Sequence, residues 1–316
     1  MAINRTNILR GPGTVIWNPG DDDEQTIFDA SGITADIETS SGDVPSSVSG
    51  VLDRFKTDQV GTVKFTPCGQ LSADLLALLY PYGTPTIGAR VFPDADVPLA
   101  IHSVAGTKVT FVNAALTQMP PLTLSPVKTA FGEAVFTALL GLGKKPSDSN
   151  SLFKTESATY AAGGPDPSGI VGVQYAATFG ALSILDTLDG WTVTPELQLE
   201  PVTTDLLGTV DYTVAGVGCT ATCTPLGLTE AQILAALPLA KDRGASLTGA
   251  NDLVIAGANG LTVTLKNATM LRGPLQWGNT TLRAGEVAFT AHRAFSQGTP
   301  GAVFSVAMTP AASSSS

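Results

Sequence analysis

The chain has 316 residues, a length that fits one large domain or two domains of about 150 residues each. Hydrophobic residues make up 43 % of the chain and charged residues 14 %, a composition that excludes an intrinsically disordered protein. The formal net charge is −10, and the densest basic spot is Lys144-Lys145, so we do not expect a basic patch that grips nucleic acid.

The 33 glycines and 21 prolines separate short runs of Val, Thr, Leu and Ile, which is typical of a β-rich chain with many turns. Residues Met1 to Gly13 lack the continuous apolar core of a signal peptide. The longest near-apolar stretch, Ala134 to Gly143, is shorter than the about 18 residues that a membrane helix requires. We therefore expect no membrane segment. We also expect Cys68, Cys219 and Cys223 to be free thiols, which suits assembly in a reducing cytoplasm.

In chain order, the first clear pattern is an alternation of apolar and polar residues that predicts a strand over residues 33–38. A stretch with several Ser and Gly residues, Thr39 to Gln59, follows, and we interpret it as an insertion. Ser72 has the position of a helix cap ahead of a run of leucines, and Pro81 ends this predicted helix. A further alternation predicts a strand over residues 108–111.

Five segments of the first half recur in the same order in the second half, which is the most informative feature of the sequence. The clearest is Gly132–Ala138, which recurs as Gly285–Ala291 with Gly-Glu, Phe-Thr and the final Ala in the same places. The other matches pair residues 109–114 with 263–268, 61–65 with 208–212, 66–69 with 224–227, and 32–38 with 190–196. An ordered series of this kind indicates a tandem duplication.

The duplication predicts a mainly β fold in which a small β-sandwich or barrel, flanked by one short α-helix, is formed twice. The first domain spans residues 1–150, residues 151–168 form a linker rich in Ser, Pro and Gly, and the second domain spans residues 169–316. In the second domain, Thr229 and Gln232 have the spacing of a capping box, and Pro238 ends the predicted helix. The end of the chain, Ala311–Ser316, is predicted to be flexible.

Few residues suit catalysis or metal binding. The two histidines, His102 and His292, each lack a Cys or His at zinc-ligand spacing. The acidic run Asp21–Glu24 lacks the alternation and the glycine of a calcium loop. Segments 244–249 and 141–145 match a nucleophile elbow and a phosphate loop only in part. We therefore expect no enzymatic activity, no cofactor and no metal.

Two pairs of glutamates could suggest acid–base chemistry: Glu133 with Glu286, and Glu38 with Glu196. One member of each pair lies in each copy of the repeat, so the duplication accounts for the pairing without any catalytic role.

The chain resembles the tail tube proteins, or major tail proteins, of long-tailed bacteriophages, and more distantly the tube of type VI secretion systems. The resemblance rests on the predicted strand order with a single helix and on a closing pattern, Pro120-Pro121-Leu122 followed by 132–137. The second copy has Pro274-Leu275 followed by 285–290. The likeness extends from about Gly11 to Ala294, and the duplication departs from the usual single-domain subunit.

The resemblance implies a structural virion protein that forms stacked rings around a channel for DNA. With two tube domains in each chain, homotrimeric rings with pseudo-sixfold symmetry would replace hexamers. The expected partners are further copies of the chain, a tape measure protein and a tail terminator, in a virion tail assembled in the host cytoplasm. DNA would pass without specific binding.

A conduit for DNA needs polar strand faces that do not hold phosphates. Five acidic residues are the candidates for the lumen: Asp36, Glu38, Glu133, Glu196 and Glu286. Outward exposure to solvent is the alternative for these faces. In the predicted insertion, Leu52 and Phe55 are expected to anchor the stacking of one ring on the next.

Two other classes of function remain open at this point. A tandem β-sandwich binding or adhesin module would be a monomer with exposed aromatic platforms, whereas Trp17, Trp191 and Trp277 lie scattered in predicted strands. Another structural virion role, such as a tail terminator or a decoration protein, fits the same residues.

Overall fold

In the computed structural model, the chain is mainly β, as its sequence predicts, with two short α-helices in the described residues. The structure describes residues 13–48, 50–69, 71–144, 148–149, 151–160, 164, 172–237, 243, 247, 251–277, 282–293, 295–296 and 299–309. The predicted flexible end and most of residues 161–171 lie outside the described residues.

Ten of the twelve described strands of the first half form two sheets. Its elements in chain order are β1 (Gly13–Trp17), β2 (Gln25–Asp29), β3 (Thr34–Ser46), β4 (Gly50–Phe65), β5 (Pro67–Cys68), α1 (Ala73–Leu79), a 3-10 turn (Pro81–Gly83), β6 (Leu99–Ser103), β7 (Thr107–Phe111), β8 (Asn113–Gln118), β9 (Leu122–Leu124), β10 (Thr129–Phe131), β11 (Ala134–Leu139) and β12 (Phe153–Ser157). One sheet has the order β12-β7-β6-β1-β2-β5, and the other has the order β3-β4-β11-β8.

The second half repeats this arrangement. Its elements are β13 (Tyr175–Phe179), β14 (Leu182–Ile184), β15 (Thr187–Thr204), β16 (Gly208–Pro225), α2 (Glu230–Ala236), β17 (Asn251–Gly257), β18 (Leu261–Arg272), β19 (Leu275–Trp277), β20 (Leu282–Ala284), β21 (Val287–Thr290), β22 (Phe295–Ser296), β23 (Thr299–Pro300) and β24 (Phe304–Met308). The order β15-β16-β21-β18 matches β3-β4-β11-β8, and β24-β18-β17-β13-β14 matches β12-β7-β6-β1-β2. Strand β18 takes the places of both β7 and β8, and it therefore joins the two sheets of this half.

The registers of the paired strands agree between the halves. In the long hairpins, Thr34 lies opposite Lys64, and Thr192 lies opposite Thr222, so 192 − 34 and 222 − 64 both equal 158. The same shift relates every pair of opposing residues from residue 34 to residue 46 of β3, and it includes both bulges. The duplication that the sequence indicates is thus present in the pattern of backbone hydrogen bonds.

The predicted insertion is wrong, because the second half has a hairpin of the same length. The shift of 158 makes Gly208 the counterpart of Gly50, and both glycines begin the returning strand with positive φ, 73° and 75°. The sequence match of residues 61–65 with 208–212 is therefore also wrong. Opposite the equivalent strands β11 and β21 stand Phe65 and Cys223, and these two residues are the true counterparts.

Part of the predicted linker is a strand. Residues Phe153–Ser157 form β12, which pairs antiparallel with β7, just as β24 pairs with the first part of β18. Phe153 lies opposite Phe111, and Phe304 lies opposite Leu265. The first repeat therefore continues beyond residue 150.

Both predicted helices are confirmed, with their caps. The Ser72 hydroxyl accepts a hydrogen bond from the Leu75 backbone N–H at 3.1 Å at the start of α1. At α2, Thr229 and Gln232 form the capping box, with each side chain bonded to the other residue's backbone N–H. Leu76 and Ile233 occupy equivalent places in the two helices, and both are buried.

Buried apolar side chains from both halves form one contiguous core. In the first half, the rings of Phe65 and Phe136 stack with their centroids 5.7 Å apart. In the second half, Trp191 packs against Phe289, the counterpart of Phe136, at 6.1 Å. Because the core is shared, we expect the halves to unfold together.

The halves meet at a buried carboxylate as well. The 88–92 segment of the first half lies along β16, where Gly88 N–H donates to Val214 O at 2.9 Å. Beside it, the buried carboxylate of Asp211 accepts hydrogen bonds from Arg90 Nε and from the Phe92 backbone N–H. Arg90 also pairs with Asp94 at 2.5 Å, but Asp94 is fully in solvent.

Replacing Asp211 is predicted to weaken the junction of the halves. Asp211→Ala should lower the free energy of unfolding by about 2 kcal/mol, the usual cost of losing buried hydrogen bonds to a charged group. Asp94→Ala removes the exposed partner of the same arginine and should cost less than about 0.5 kcal/mol. Urea denaturation of both variants measures the difference, and equal losses would contradict the role assigned to Asp211.

Candidate functional site

Threonine is frequent on one face of the strands β15, β16, β21 and β18, and on the same face of the equivalent sheet β3-β4-β11-β8. Directly opposite residues of antiparallel neighbours share a face, so a single row crosses β15, β16, β21 and β18. This row consists of Thr194, Thr220, Thr290 and Thr269. The adjacent row begins with Thr192 and Thr222. In the first half, the equivalent rows hold Asp36, Thr62, Thr137 and Ala115, and Thr34, Lys64, Val135 and Gln118. We call these rows the threonine face.

The opposite side of the same strands is apolar. Val63 and Phe65 of β4 and Phe136 of β11 are buried in the core, whereas Thr34, Asp36 and Lys64 on the threonine face are exposed. This alternation of buried and exposed residues is what a sheet with one solvated face produces. The threonine face is thus open to solvent at Thr34, Asp36 and Lys64, whereas its residues on the neighbouring strands, Ala115, Val135, Thr137 and Thr269, are buried.

The structure places the five predicted lumen residues on or beside this face. Asp36 lies on it. Glu38 and Glu196, which are equivalent under the shift of 158, lie on the same side of β3 and β15 in the next row. Glu133 and Glu286 are exposed and stand directly before β11 and β21, at equivalent positions. The sequence-level pairing of these glutamates thus reflects the repeat.

The face also carries basic residues that the sequence analysis did not single out. Lys64 is exposed on β4, opposite Thr34. Arg272 of β18 lies opposite Ala288, and its Nη1 atom pairs with Glu286 Oε1 at 3.2 Å. The face is therefore of mixed charge, and the alternation of Val63 and Phe65 around Lys64 was the signal that could have identified this residue.

Leu52 and Phe55 lie on the outer part of the β3–β4 hairpin. Their exposed fractions are 63 % and 53 %, so both are free to contact another molecule. The Phe55 ring covers Gly42 on the opposing strand, where an added Cβ would stand 2.6 Å from Cζ of the ring. The counterpart of Phe55 is Thr213, which is bridged to Arg90. The expected role of Leu52 and Phe55 in ring stacking stays a prediction.

The edges of the two equivalent strands β3 and β15 differ. Along β15, the hairpin β9–β10 of the first half adds as a further strand, with Leu122 opposite Val193 and Leu124 opposite Trp191. In the described part of the chain, β4 is the sole pairing partner of β3, and β19 and β20 pair only with each other. The chain thus contains two equivalent hairpins, β9–β10 and β19–β20, and two equivalent strand edges, those of β15 and β3. One hairpin, β9–β10, pairs with one edge, that of β15.

The residues at the paired edge of β15 are more deeply buried than their counterparts at the edge of β3. Trp191 and Val193, directly opposite residues of the joined strand, are 0 % and 2 % exposed. Their counterparts are Ile33, which is half-buried, and Ala35, which is exposed. Apolar residues therefore stand at the free edge of β3 at the positions that the first half covers in β15.

Two further contacts join the halves at this boundary. At the tip of the second hairpin, Thr209 N–H and Oγ1 donate to the two carboxylate oxygens of Asp58, at 3.2 and 2.6 Å. Behind helix α1, the Gly83 carbonyl accepts from Val303 N–H at 2.8 Å, and the Tyr80 ring packs edge-on against Phe304.

The described residues contain no group of three or more His, Cys, Asp or Glu that could hold a metal ion. All three cysteines are free thiols. Burial raises the pKa of the Cys219 and Cys223 thiols far above the ordinary value, which makes them poor nucleophiles. No helix in the described part is long and apolar enough to cross a membrane.

Alkaline pH should destabilise the fold through Tyr82. Its hydroxyl donates to Leu116 O at 3.0 Å, and burial, with a smaller effect of Asp211, raises its pKa from 10.0 to about 12. Because the folded state holds the proton more tightly, this stabilisation is complete below pH 10 and is lost as the pH rises towards 12. Tyr82→Phe should therefore lose less stability than the wild type between pH 10 and 12. Parallel curves of unfolding free energy against pH would contradict this.

The comparisons with known proteins do not add a family. No protein-family model matches the chain, and no curated protein gives a significant match. The functional conclusion therefore rests on the repeat, the threonine face and the strand edges.

Proposed function

We propose that this protein is a structural subunit without enzymatic activity, whose copies join head to tail into closed rings. The observation that carries the proposal is that the β9–β10 hairpin of one half completes the β15 edge of the other, while no other described strand pairs with the equivalent hairpin or with the outer edge of β3. This contact joins two different surfaces, and contacts of that kind propagate from one unit to the next. A ring is the closed form of such an arrangement.

The proposed ring contains three chains and six domain positions. The constant register between the halves supports this, because two units with the same strand pairings can occupy equivalent positions. We further propose that the rings stack into a tube, as in the phage tail tubes that the sequence resembles. The partners would be further copies of the chain, a tape measure protein and a tail terminator, in a virion tail assembled in the host cytoplasm.

The threonine face is the proposed lining of the channel. Its hydroxyl groups are polar without carrying charge, so they neutralise no phosphate and add no salt-dependent affinity for DNA. One of the two basic residues noted on this face, Arg272, is already paired with Glu286. Asp36, Glu38 and Glu196 add negative charge, so the lining would let DNA pass without specific binding.

Electron microscopy of the purified full-length chain tests the assembly. We expect rings or tubes in negative stain, with a sedimentation coefficient that rises with protein concentration. Isolated rings that never stack would indicate a terminator-like role. Particles that remain monomers at every concentration would overturn the proposal and favour a tandem binding module.

Cysteine labelling in assembled tubes tests the lining. In a Cys68→Ala background, Asp36→Cys places a thiol on the threonine face, and Asp22→Cys places one on an exposed turn. A maleimide carrying a large polymer should label Asp22→Cys but not Asp36→Cys in tubes, while both should react in dissociated subunits. Equal labelling of the two positions in tubes would contradict the assignment of the lumen.

A further inference from the structure

We propose that neighbouring copies of the chain bind each other by strand addition in a defined register, with β19 of one copy along the free edge of β3 of the next. This inference rests on the proposed function and specifies its interface. Within the chain, the equivalent contact is seen directly between β9 and β15. A second copy of the chain is therefore the occupant of the β3 edge.

The register follows from two sets of equivalent residues. Gly132 N–H donates to Pro121 O, and Gly285 N–H donates to Pro274 O, so Leu122 and Leu275 begin equivalent strands. The partners within the two hairpins agree, since Leu122 lies opposite Phe131 and Leu275 lies opposite Ala284. Each residue of β19, the strand that would be added, thus has a defined counterpart in β9.

The register of the long hairpins gives the correspondence between β3, the strand to which β19 would be added, and β15. Trp191, Thr192 and Val193 of β15 correspond to Ile33, Thr34 and Ala35. Within the chain, Thr123 lies opposite Thr192. Between copies, Gln276 of β19 therefore lies opposite Thr34, with Leu275 opposite Ala35 and Trp277 opposite Ile33.

Exposure and backbone chemistry favour this occupant. Ala35 is exposed and Ile33 half-buried, whereas Val193 and Trp191, opposite residues of β9, are buried. A free strand edge presents unpaired N–H and C=O groups, which an added strand satisfies. A second copy supplies both the strand and the matching shape, because the contact already exists inside each chain.

The same correspondence brings the tip of the β3–β4 hairpin to the boundary. Within the chain, Thr209 at the tip of the β15–β16 hairpin contacts Asp58 of β4. Under the shift of 158, Val51 is the counterpart of Thr209 and Gly216 is the counterpart of Asp58, so the equivalent contact between copies joins Val51 to Gly216. Leu52, next to Val51, is 63 % exposed. This places Leu52 against β16 of the neighbouring copy within a ring, beside or in place of the ring-stacking role expected from the sequence.

Disulfide trapping tests the register. Opposing residues of antiparallel strands have Cα atoms about 4.5–5.5 Å apart, within disulfide range. In a Cys68→Ala background, Thr34→Cys with Gln276→Cys should link chains covalently on mild oxidation, up to a trimer. Thr123→Cys with Thr192→Cys is the internal control and should form a bond within one chain. Glu38→Cys with Gln276→Cys is the shifted control, about 13 Å out of register, and should not link chains.

A charge at the free edge provides a second measurement. Ala35→Glu should keep the circular dichroism of the wild type and reduce assembly at least tenfold, because a carboxylate would be buried under the added strand. Thr39→Glu, on the same strand beyond the reach of β19, should assemble normally.

The outcomes separate the two proposals. Rings or tubes that form without a bond between residues 34 and 276, or that tolerate Ala35→Glu, would overturn the strand register and leave ring formation standing. A chain that stays monomeric at every concentration would overturn both. Interchain bonds only at the shifted positions would also overturn the register.

Discussion

The structure depends on the need of an edge strand for a partner. Strand β15 carries Trp191 and Val193 to the edge of its sheet, where an open edge would expose both apolar side chains and a row of backbone polar groups. The first half of the chain closes this edge with β9. The 88–92 segment and the buried Asp211 join the halves again, near the other end of the same long hairpin.

Duplication supplies the surfaces for the proposed assembly. Each half has one edge that accepts a strand and one hairpin that supplies a strand, and the covalent chain satisfies one such pair. Among the strands that the structure describes, the outer edge of β3 and the β19–β20 hairpin have no such partner. A duplicated chain therefore halves the number of boundaries that must form between separate molecules, which lowers the entropic cost of closing a ring.

The fold could be predicted in part from local patterns. The caps at Ser72 and Thr229 are short-range signals with defined geometry, and they placed both helices correctly. The alternation over residues 33–38 identified β3 because one face of the strand is apolar and the other polar. The length of the hairpin beyond Thr39 was missed, because an exposed strand of Ser, Thr and Gly carries no burial signal that distinguishes it from a loop.

The candidate site was less accessible to prediction than the fold. The acids Asp36, Glu38 and Glu196 could be assigned to polar strand faces by alternation alone. The pairing of β9 with β15 could not, because it joins segments about 70 residues apart whose short strands have no distinctive pattern. Arg272 escaped notice since the bulge between Met270 and Arg272 shifts the alternation of β18.

A cryo-electron microscopy map of the assembled particle at side-chain resolution tests the central claim most directly. We expect the boundaries between domains around the ring to alternate between boundaries within one chain and boundaries between two chains. The two kinds of boundary should superimpose, and in each a short hairpin should add to the edge of a long strand. A map in which chains meet through a two-fold symmetric contact, or in which the edge of β3 faces solvent, would contradict it.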